Sequence, residues 1–329
     1  MLTTNNEMPL PLQGSALSRL QLFLHACDLD YDPSIRFSVL LMEEEEIIAT
    51  GSLDGATIRC VAVSPRHQGE DLTAQIMTVL IKRALEDGHR HLMIYTKPRN
   101  QYMFQSFGFH PVIRTGDCLL MENQRNGLGS FLDGLTKPAD SHQPIGCIVA
   151  NCNPFTKGHR YLIETAADEC AWVHVFILSE DKGMFAPQER LAMAKAGCSD
   201  LKNVLVHPSG PYMVSSSTFP SYFIKDKHRV EDIHCEVDVR LFGQKIAPAL
   251  GITRRYVGTE PNCAVTAQYN RQLGQLLPQY GIQLVEIQRK TVPGGAISAS
   301  RVRSLIQNGQ TDQLKDLLPE STMNILNAK

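Results

Sequence analysis

The run Asn151-Cys152-Asn153-Pro154-Phe155-Thr156-Lys157-Gly158-His159 brings an amide, a hydroxyl, a glycine and an imidazole together where a strand gives way to a helix. That grouping suits phosphate chemistry. Gly158 permits close approach of a nucleotide, and the unpaired N–H groups of the first helical turn stabilise phosphate oxygens. His159, expected as the first helical residue, donates a hydrogen bond to an α-phosphate as charge develops there. Thr156 is expected to do the same through its hydroxyl, and Lys157 either adds charge or faces water. Cys152 sits inside the run without a basic activator and reads as packing. A second grouping, Ile297-Ser298-Ala299-Ser300-Arg301-Val302-Arg303, follows the flexible Pro293-Gly294-Gly295. Two hydroxyls and free N–H groups at a helix start suit β- and γ-phosphates. Arg301 and Arg303 are two residues apart and cannot share a helical face; the spacing leaves open which of them meets phosphate.

These side chains need a scaffold that ends strands where helices begin. Ile145–Ala150 is a short apolar run suited to a buried parallel strand. A helix over 159–170, a strand over 172–178, a helix over 187–196 and strands over 203–207 and 255–258 continue the alternation. Such alternation predicts a doubly wound parallel sheet, in which ligands bind at the carboxyl ends of strands. Lys182 and Gly258 both follow predicted strand ends. Lys182 is expected to contact a triphosphate and act in catalysis, and the Gly258 backbone is expected to meet adenine or ribose. Arg190 pairs with phosphate or with Glu189, and Asp238–Phe242 is left open as part of an acid-binding or partner surface.

The first half is predicted to hold strands at 37–42, 47–53, 57–64 and 91–96, with helices at 71–86 and 101–107. Glu43–Glu46 reads as a solvated turn between the first two strands. Arg66 and Gly69 lie in a strand-to-helix turn that could receive a pyrophosphate, although Asp71 beside it repels one. The polar stretch 123–144 reads as a linker, dividing the chain into domains at 1–135 and 143–329. The chain has 329 residues, of which 32 are basic and 34 acidic, a balance that excludes a globally basic nucleic-acid binder. No apolar run is long enough to span a membrane, so neither nucleic acid nor membrane is expected as a partner. Nine cysteines without a C-x-x-C pair, and no secretory signal, lead to the expectation of a cytoplasmic protein without a disulfide framework. The scattered His residues form no metal-ligand spacing.

Several segments together carry a family resemblance. Asn100–Phe109, with its aromatic helix and Gly108-Phe109, resembles the GCN5-related acetyltransferases, and Arg66 and Gly69 match that family's phosphate turn. Thr156-x-Gly158-His159 resembles the first motif of the nucleotidyltransferases. Ile297-Ser298-Ala299-Ser300 with Arg303 resembles their second. Adding Ser217–Phe223 and Arg255–Pro261, the chain resembles the citrate lyase ligases from about residue 15 to 307. The resemblance implies an α/β protein in which an acetyltransferase-like domain precedes a Rossmann-like nucleotidyltransferase domain. It implies an acid–thiol ligase that uses ATP with Mg²⁺ to adenylate acetate, then acetylates the thiol of the citrate lyase acyl-carrier subunit. Asn153, Thr156, Gly158, His159, Gly258, Ser298, Ser300 and Arg303 would bind ATP. Two other readings stay open: a nucleotidyltransferase acting on a phosphopantetheine or nucleotide acceptor, and a non-catalytic ATP/acyl-CoA sensor.

Overall fold

The structure, a computed structural model of the chain, describes residues 12–140, 142–180, 183–213, 215, 218–260 and 264–327, and the backbone of 3–8. The chain forms two compact units. The first comprises Met1–Gly129 and Phe219–Val237, and the second Ser130–Thr218 and Asp238–Lys329.

In the first unit, strands β1 (Thr3–Met8), β2 (Phe37–Glu43), β3 (Glu46–Asp54), β4 (Thr57–Val63), β5 (Met93–Thr96), β6 (His110–Arg114) and β7 (Leu119–Glu122) form one sheet. Their order is β1-β2-β3-β4-β5-β7-β6. The acidic run 43–46 turns between β2 and β3 as expected. Helix α1 (Gly14–Ala26) precedes β2, and α2 (Leu72–Glu86) and α3 (Gln101–Gln105) flank β5. Leu72, Ile76, Met77, Leu80 and Ala84 make one buried face of α2, the 3.6-residue period expected of an amphipathic helix. Gly51 of β3 lies under that face: a Cβ there would stand 2.4 Å from Ile76 and 2.8 Å from Leu80. All pairings in this sheet are antiparallel except β4 with β5. Those two pair only at Thr57–Met93 and Ile58–Ile94, and then part. Tyr222, from the returning segment, donates its hydroxyl to the Tyr95 carbonyl of β5 at 3.0 Å.

In the second unit, β8 (Ile145–Ala150), β9 (Trp172–Ile177), β10 (Val204–Pro208), β11 (Arg254–Gly258) and β12 (Gln283–Ile287) are all parallel, in the order β10-β9-β8-β11-β12. Strand order reverses between β8 and β11, which creates a crevice at their carboxyl ends. Helix α4 (Gly127–Asp133) precedes β8. Helices α5 (Lys157–Glu169) and α6 (Pro187–Gly197) follow β8 and β9. Helices α7 (Val230–Leu241) and α8 (Ala247–Leu250) precede β11, and α9 (Ala264–Leu276) joins it to β12. A small hairpin, β13 (Thr291–Val292) and β14 (Gly295–Ala296), leads into α10 (Ala299–Gln307), α11 (Leu314–Leu317) and α12 (Glu320–Asn327).

Two sequence expectations differ from this arrangement. The stretch read as a linker contains α4, whose Leu128 and Leu132 are buried. Apolar residues at i, i+3 and i+4 (Leu128, Phe131, Leu132) give it a face to bury despite its glycines. The cut at residues 135–143 also leaves out Phe219–Val237, which packs in the first unit.

Candidate nucleotide site

Helix α5 starts two residues before His159. Thr156 is its N-cap, with extended backbone, and its Oγ1 accepts from the His159 N–H at 3.3 Å. His159 therefore occupies the third helical position rather than the first. Its Nδ1 accepts from the Thr156 backbone N–H at 3.0 Å, and Thr156 Oγ1 lies 3.0 Å from the same nitrogen. This reciprocal pair is a capping box, with an imidazole in the place usually held by a carboxylate or amide. An acceptor Nδ1 puts the ring proton on Nε2. Burial, then the nearby Arg289 cation, lowers the His159 pKa from its usual range to about 4, so the ring is neutral at ordinary pH. The Phe155 ring stacks on it with centroids 5.9 Å apart. The outcome is an imidazole fixed in tautomer and orientation, its Nε2–H available as a donor. Thr156 is buried and engaged in the cap, which differs from the expected phosphate donor.

Helix α10 starts in the same way. Ser298 caps it, accepting from the Arg301 N–H at 3.2 Å. Arg303 joins the two motifs: Nη1 donates to the Asn153 carbonyl at 2.7 Å and Nη2 to Ser300 Oγ at 3.1 Å. Both partners are neutral, so the guanidinium charge stays uncompensated by them. Arg301 Nη1 is buried with no hydrogen-bond partner, a donor that an anion could satisfy. Gly158 touches the second motif directly. A Cβ on it would stand 3.3 Å from the Ile297 carbonyl and 3.4 Å from Ile297 Cβ. Gly158 thus packs tightly against the second motif, with little room for a side chain. Asn153 is buried, and its Oδ1 accepts from the Phe185 N–H at 3.2 Å. Gly258 ends β11 at the crevice, its carbonyl accepting from Asn270 Nδ2 at 3.0 Å.

Sequence reasoning missed Arg289. It follows the end of β12, donates from Nε to the Thr259 carbonyl at 2.7 Å and pairs with Glu260. The rule that strand ends carry ligand contacts would have found it. Lys182 lies outside the described residues, as do Pro261 and Asn262. Arg190 is fully buried and binds the carbonyls of Asn151, Glu180 and Phe185, clamping the loops after β8 and β9. With the Asn151 side-chain Oδ1 as a further acceptor, these contacts give Arg190 a clamping role between the two loops. Asp238–Phe242 forms no open surface either. Asp238 accepts from Arg255 at 3.3 Å and from the Tyr269 hydroxyl at 2.6 Å, while Arg255 lies 4.6 Å above the buried Phe242 ring. Cys152 is fully buried, and burial pushes its thiol pKa up, consistent with packing. Among the described residues, no group of three or more His, Cys, Asp or Glu gathers as a metal site, and no helix is long and apolar enough to cross a membrane.

In the first unit, Arg66 and Gly69 are exposed, and Gly69 has φ of +97°. Carboxylates crowd this turn. His67 contacts Glu70 at 3.2 Å and Glu43 at 3.6 Å, and Asp71, in left-handed conformation, precedes α2.

The family described as the citrate lyase ligase C-terminal domain matches residues 145–326. The [citrate [pro-3S]-lyase] ligase of Escherichia coli (strain K12) is 39% identical over 320 residues, covering 95% of this chain and 91% of that protein. A phosphopantetheine adenylyltransferase of Staphylococcus carnosus is 24% identical over 144 residues, 40% of this chain and 88% of its own. Among solved structures, Escherichia coli ElaA aligns with 34% of this chain and 93% of its own, at 21% identity and a TM-score of 0.31. The expected α/β class holds: a unit with a largely antiparallel sheet and helices is followed by one built on a wholly parallel five-stranded sheet. Matched along nearly its whole length to a ligase at 39% identity, the chain belongs to the citrate lyase ligase family.

Proposed function

We propose that the chain is an acid–thiol ligase acting on citrate lyase, adenylating acetate with ATP and passing the acetyl group to the thiol of the lyase's acyl-carrier subunit. The observation that carries this reading is His159 at the start of α5, whose Nδ1 accepts from the Thr156 N–H so that the ring proton lies on Nε2 as a donor. A carboxylate oxygen of acetate attacks the α-phosphorus, the bond to the β-phosphate oxygen breaks, and pyrophosphate leaves. His159 Nε2–H stabilises the charge that grows on the α-phosphate oxygens. The starts of α5 and α10, Arg303, Ser300 and Arg301 Nη1 suit the β- and γ-phosphates. Asn153, Ser298 and Gly258 shape the site around the nucleotide, and Lys182 is proposed as a further cation on the triphosphate. The carrier's thiolate then attacks the acetyl carbon, the acyl–phosphate bond breaks, and AMP leaves. Mg²⁺ supplies charge neutralisation on the triphosphate when bound. Alignment and electrostatics suffice without a covalent enzyme nucleophile.

The test is pyrophosphate release measured with acetate, with a phosphopantetheine acceptor alone and with neither. The ligase reading expects release that depends on acetate. His159→Ala should lower the rate by about 100- to 1,000-fold while the circular dichroism spectrum stays that of the parent. Near-normal turnover of that variant would refute the assigned role, and release driven by the phosphopantetheine acceptor alone would refute the substrate.

A further inference from the structure

Three alternate carbonyls in the run that carries the first motif are held by side chains from three later helices. Arg190 of α6 donates to the Asn151 carbonyl at 2.9 Å, and Arg303 of α10 to the Asn153 carbonyl at 2.7 Å. The third donor is Thr322 of α12, whose Oγ1 donates to the Phe155 carbonyl at 3.1 Å. Thr322 is fully buried, and its N–H already bonds to the Pro319 carbonyl at 3.1 Å, so the hydroxyl is free to serve Phe155. Packing brings α12 to this place. Its Ile325 and Leu326 lie against the core that contains Phe155 and Met193. Lys157, the first residue of α5, donates from Nζ to the Lys315 carbonyl of α11 at 2.6 Å, which fastens α5 to the same C-terminal helices. The Phe155 carbonyl and the Thr156 N–H belong to one planar peptide group, so fixing the direction of one fixes the other. The carbonyl accepts from Thr322, and the N–H donates to His159 Nδ1 at 3.0 Å. One line of hydrogen bonds therefore runs from the Thr322 hydroxyl through the 155–156 peptide to the imidazole, and bonds in such a line strengthen one another.

We propose that Thr322 is a positioning residue for His159: by holding the Phe155 carbonyl it aims the Thr156 N–H at Nδ1 and so keeps the ring proton on Nε2. Thr322 acts through the peptide and touches no substrate. For its effect on rate the assignment rests on the adenylation reading above; for its geometry it does not. It gives the C-terminal segment, which follows both motifs in the chain, a part in orienting the imidazole.

The test follows the ring nitrogens directly. In the full chain labelled with ¹⁵N-histidine, the His159 signals are identified by their loss in His159→Ala. The parent should show one bare, hydrogen-bonded nitrogen, Nδ1, and one protonated nitrogen, Nε2. Thr322→Val keeps the shape of the side chain and removes the hydroxyl, and Thr322→Ala removes it without adding an apolar group. In both, the two signals should move toward the averaged positions of a free imidazole, while Thr322→Ser restores the parent pattern. Acetate-dependent ATP–pyrophosphate exchange should lose about tenfold in kcat in the valine and alanine variants, with KM for ATP changed by less than about twofold, because the ring is still present but less well aimed. Thr50→Val removes a comparable buried bond in the first unit, from Thr50 Oγ1 to the Val39 carbonyl at 2.9 Å, and should leave both readouts as in the parent. Unmoved nitrogen signals in the valine and alanine variants overturn the proposal. So does an equal loss of exchange in Thr50→Val, or a serine variant that stays as impaired as the valine one. The nitrogen signals need no turnover, so they separate failure of this positioning from failure of the adenylation reading, which exchange by the parent protein reports.

Discussion

Protonating His159 would force a second proton onto a ring whose Nδ1 already accepts from Thr156. The buried setting and Arg289 oppose the resulting charge and hold the pKa near about 4. The sign is that of a lowered histidine: the neutral ring that the proposed role needs prevails above that value and is lost as pH falls through it. The acid limb of acetate-dependent turnover should therefore sit near pH 4 rather than near 6.5. Arg289→Gln removes the opposing cation, so the limb should move upward, and activity at pH 5 should fall relative to activity at pH 7.5. A pH profile of kcat with an unmoved limb in that variant would show that the Arg289 charge does not reach the ring. At this scale much was legible. His159, Gly158 and Thr156 sit in one local run, and a run of nine residues specifies its own turn. Arg289 was not legible, because its proximity to His159 comes from the order of strands in the sheet and not from any spacing in the chain. The hydroxyls of Thr156 and Ser298 were legible as residues at helix starts but not as caps, since a cap and a phosphate donor need the same amino acids at the same position.

Elements meet at glycines that a sequence marks only as breaks. Gly197 ends α6 against Phe155, where a Cβ would stand 2.3 Å from Cε1 of that ring. Phe155 is fully buried and follows the turn that carries Asn153, so it cannot retreat without moving the site. Gly197→Ala is expected to cost about 1–3 kcal/mol through overpacking, read as a lower urea midpoint. Gly158→Ala differs in kind. Its contact with Ile297, at 3.3–3.4 Å, needs a shift of only a few tenths of an ångström, and alanine favours the helix by up to about 1 kcal/mol. Its stability should stay close to that of the parent, while KM for ATP rises as the starts of α5 and α10 are pushed apart. Equal losses of stability in the two variants would contradict this separation. The alternating strands and helices of the second half were legible because short apolar runs and a 3.6-residue period survive burial on both faces. Helix α4 was not. Its glycines argue for a linker by propensity, and burial of Leu128 and Leu132 outweighs that weak preference.

At the scale of the whole molecule the two units differ in how they meet acid. Adjacent strands β9 and β10 of the second unit bury His174 and His207, with Nδ1 of the first 3.0 Å from Nε2 of the second. Burial lowers both pKa values to about 4, helped by His207 acting on His174 and by Lys195 acting on His207. The unfolded chain binds protons at these histidines from about pH 6.5 downward, and the folded unit does not until about pH 4, so stability drains away between those values. In the first unit, burial works against the Asp32 charge, but Arg59 and Ser34 outweigh it and leave its pKa below the usual carboxylate value. That contribution is intact above about pH 4 and is lost only below it. Division into two units, both of them discontinuous in sequence, could not be read from composition. The return of Phe219–Val237 is decided by which core accepts Phe223 and Ile233, a tertiary choice. Two cores predict two unfolding transitions in calorimetry, and ATP identifies the second unit's transition by raising it alone. Between pH 7 and 4.5 that transition should fall by an amount on the order of a few kcal/mol, with the other nearly still until the pH drops further. If both transitions moved together across this range, the buried histidine pair would not be the acid-sensitive element of the fold.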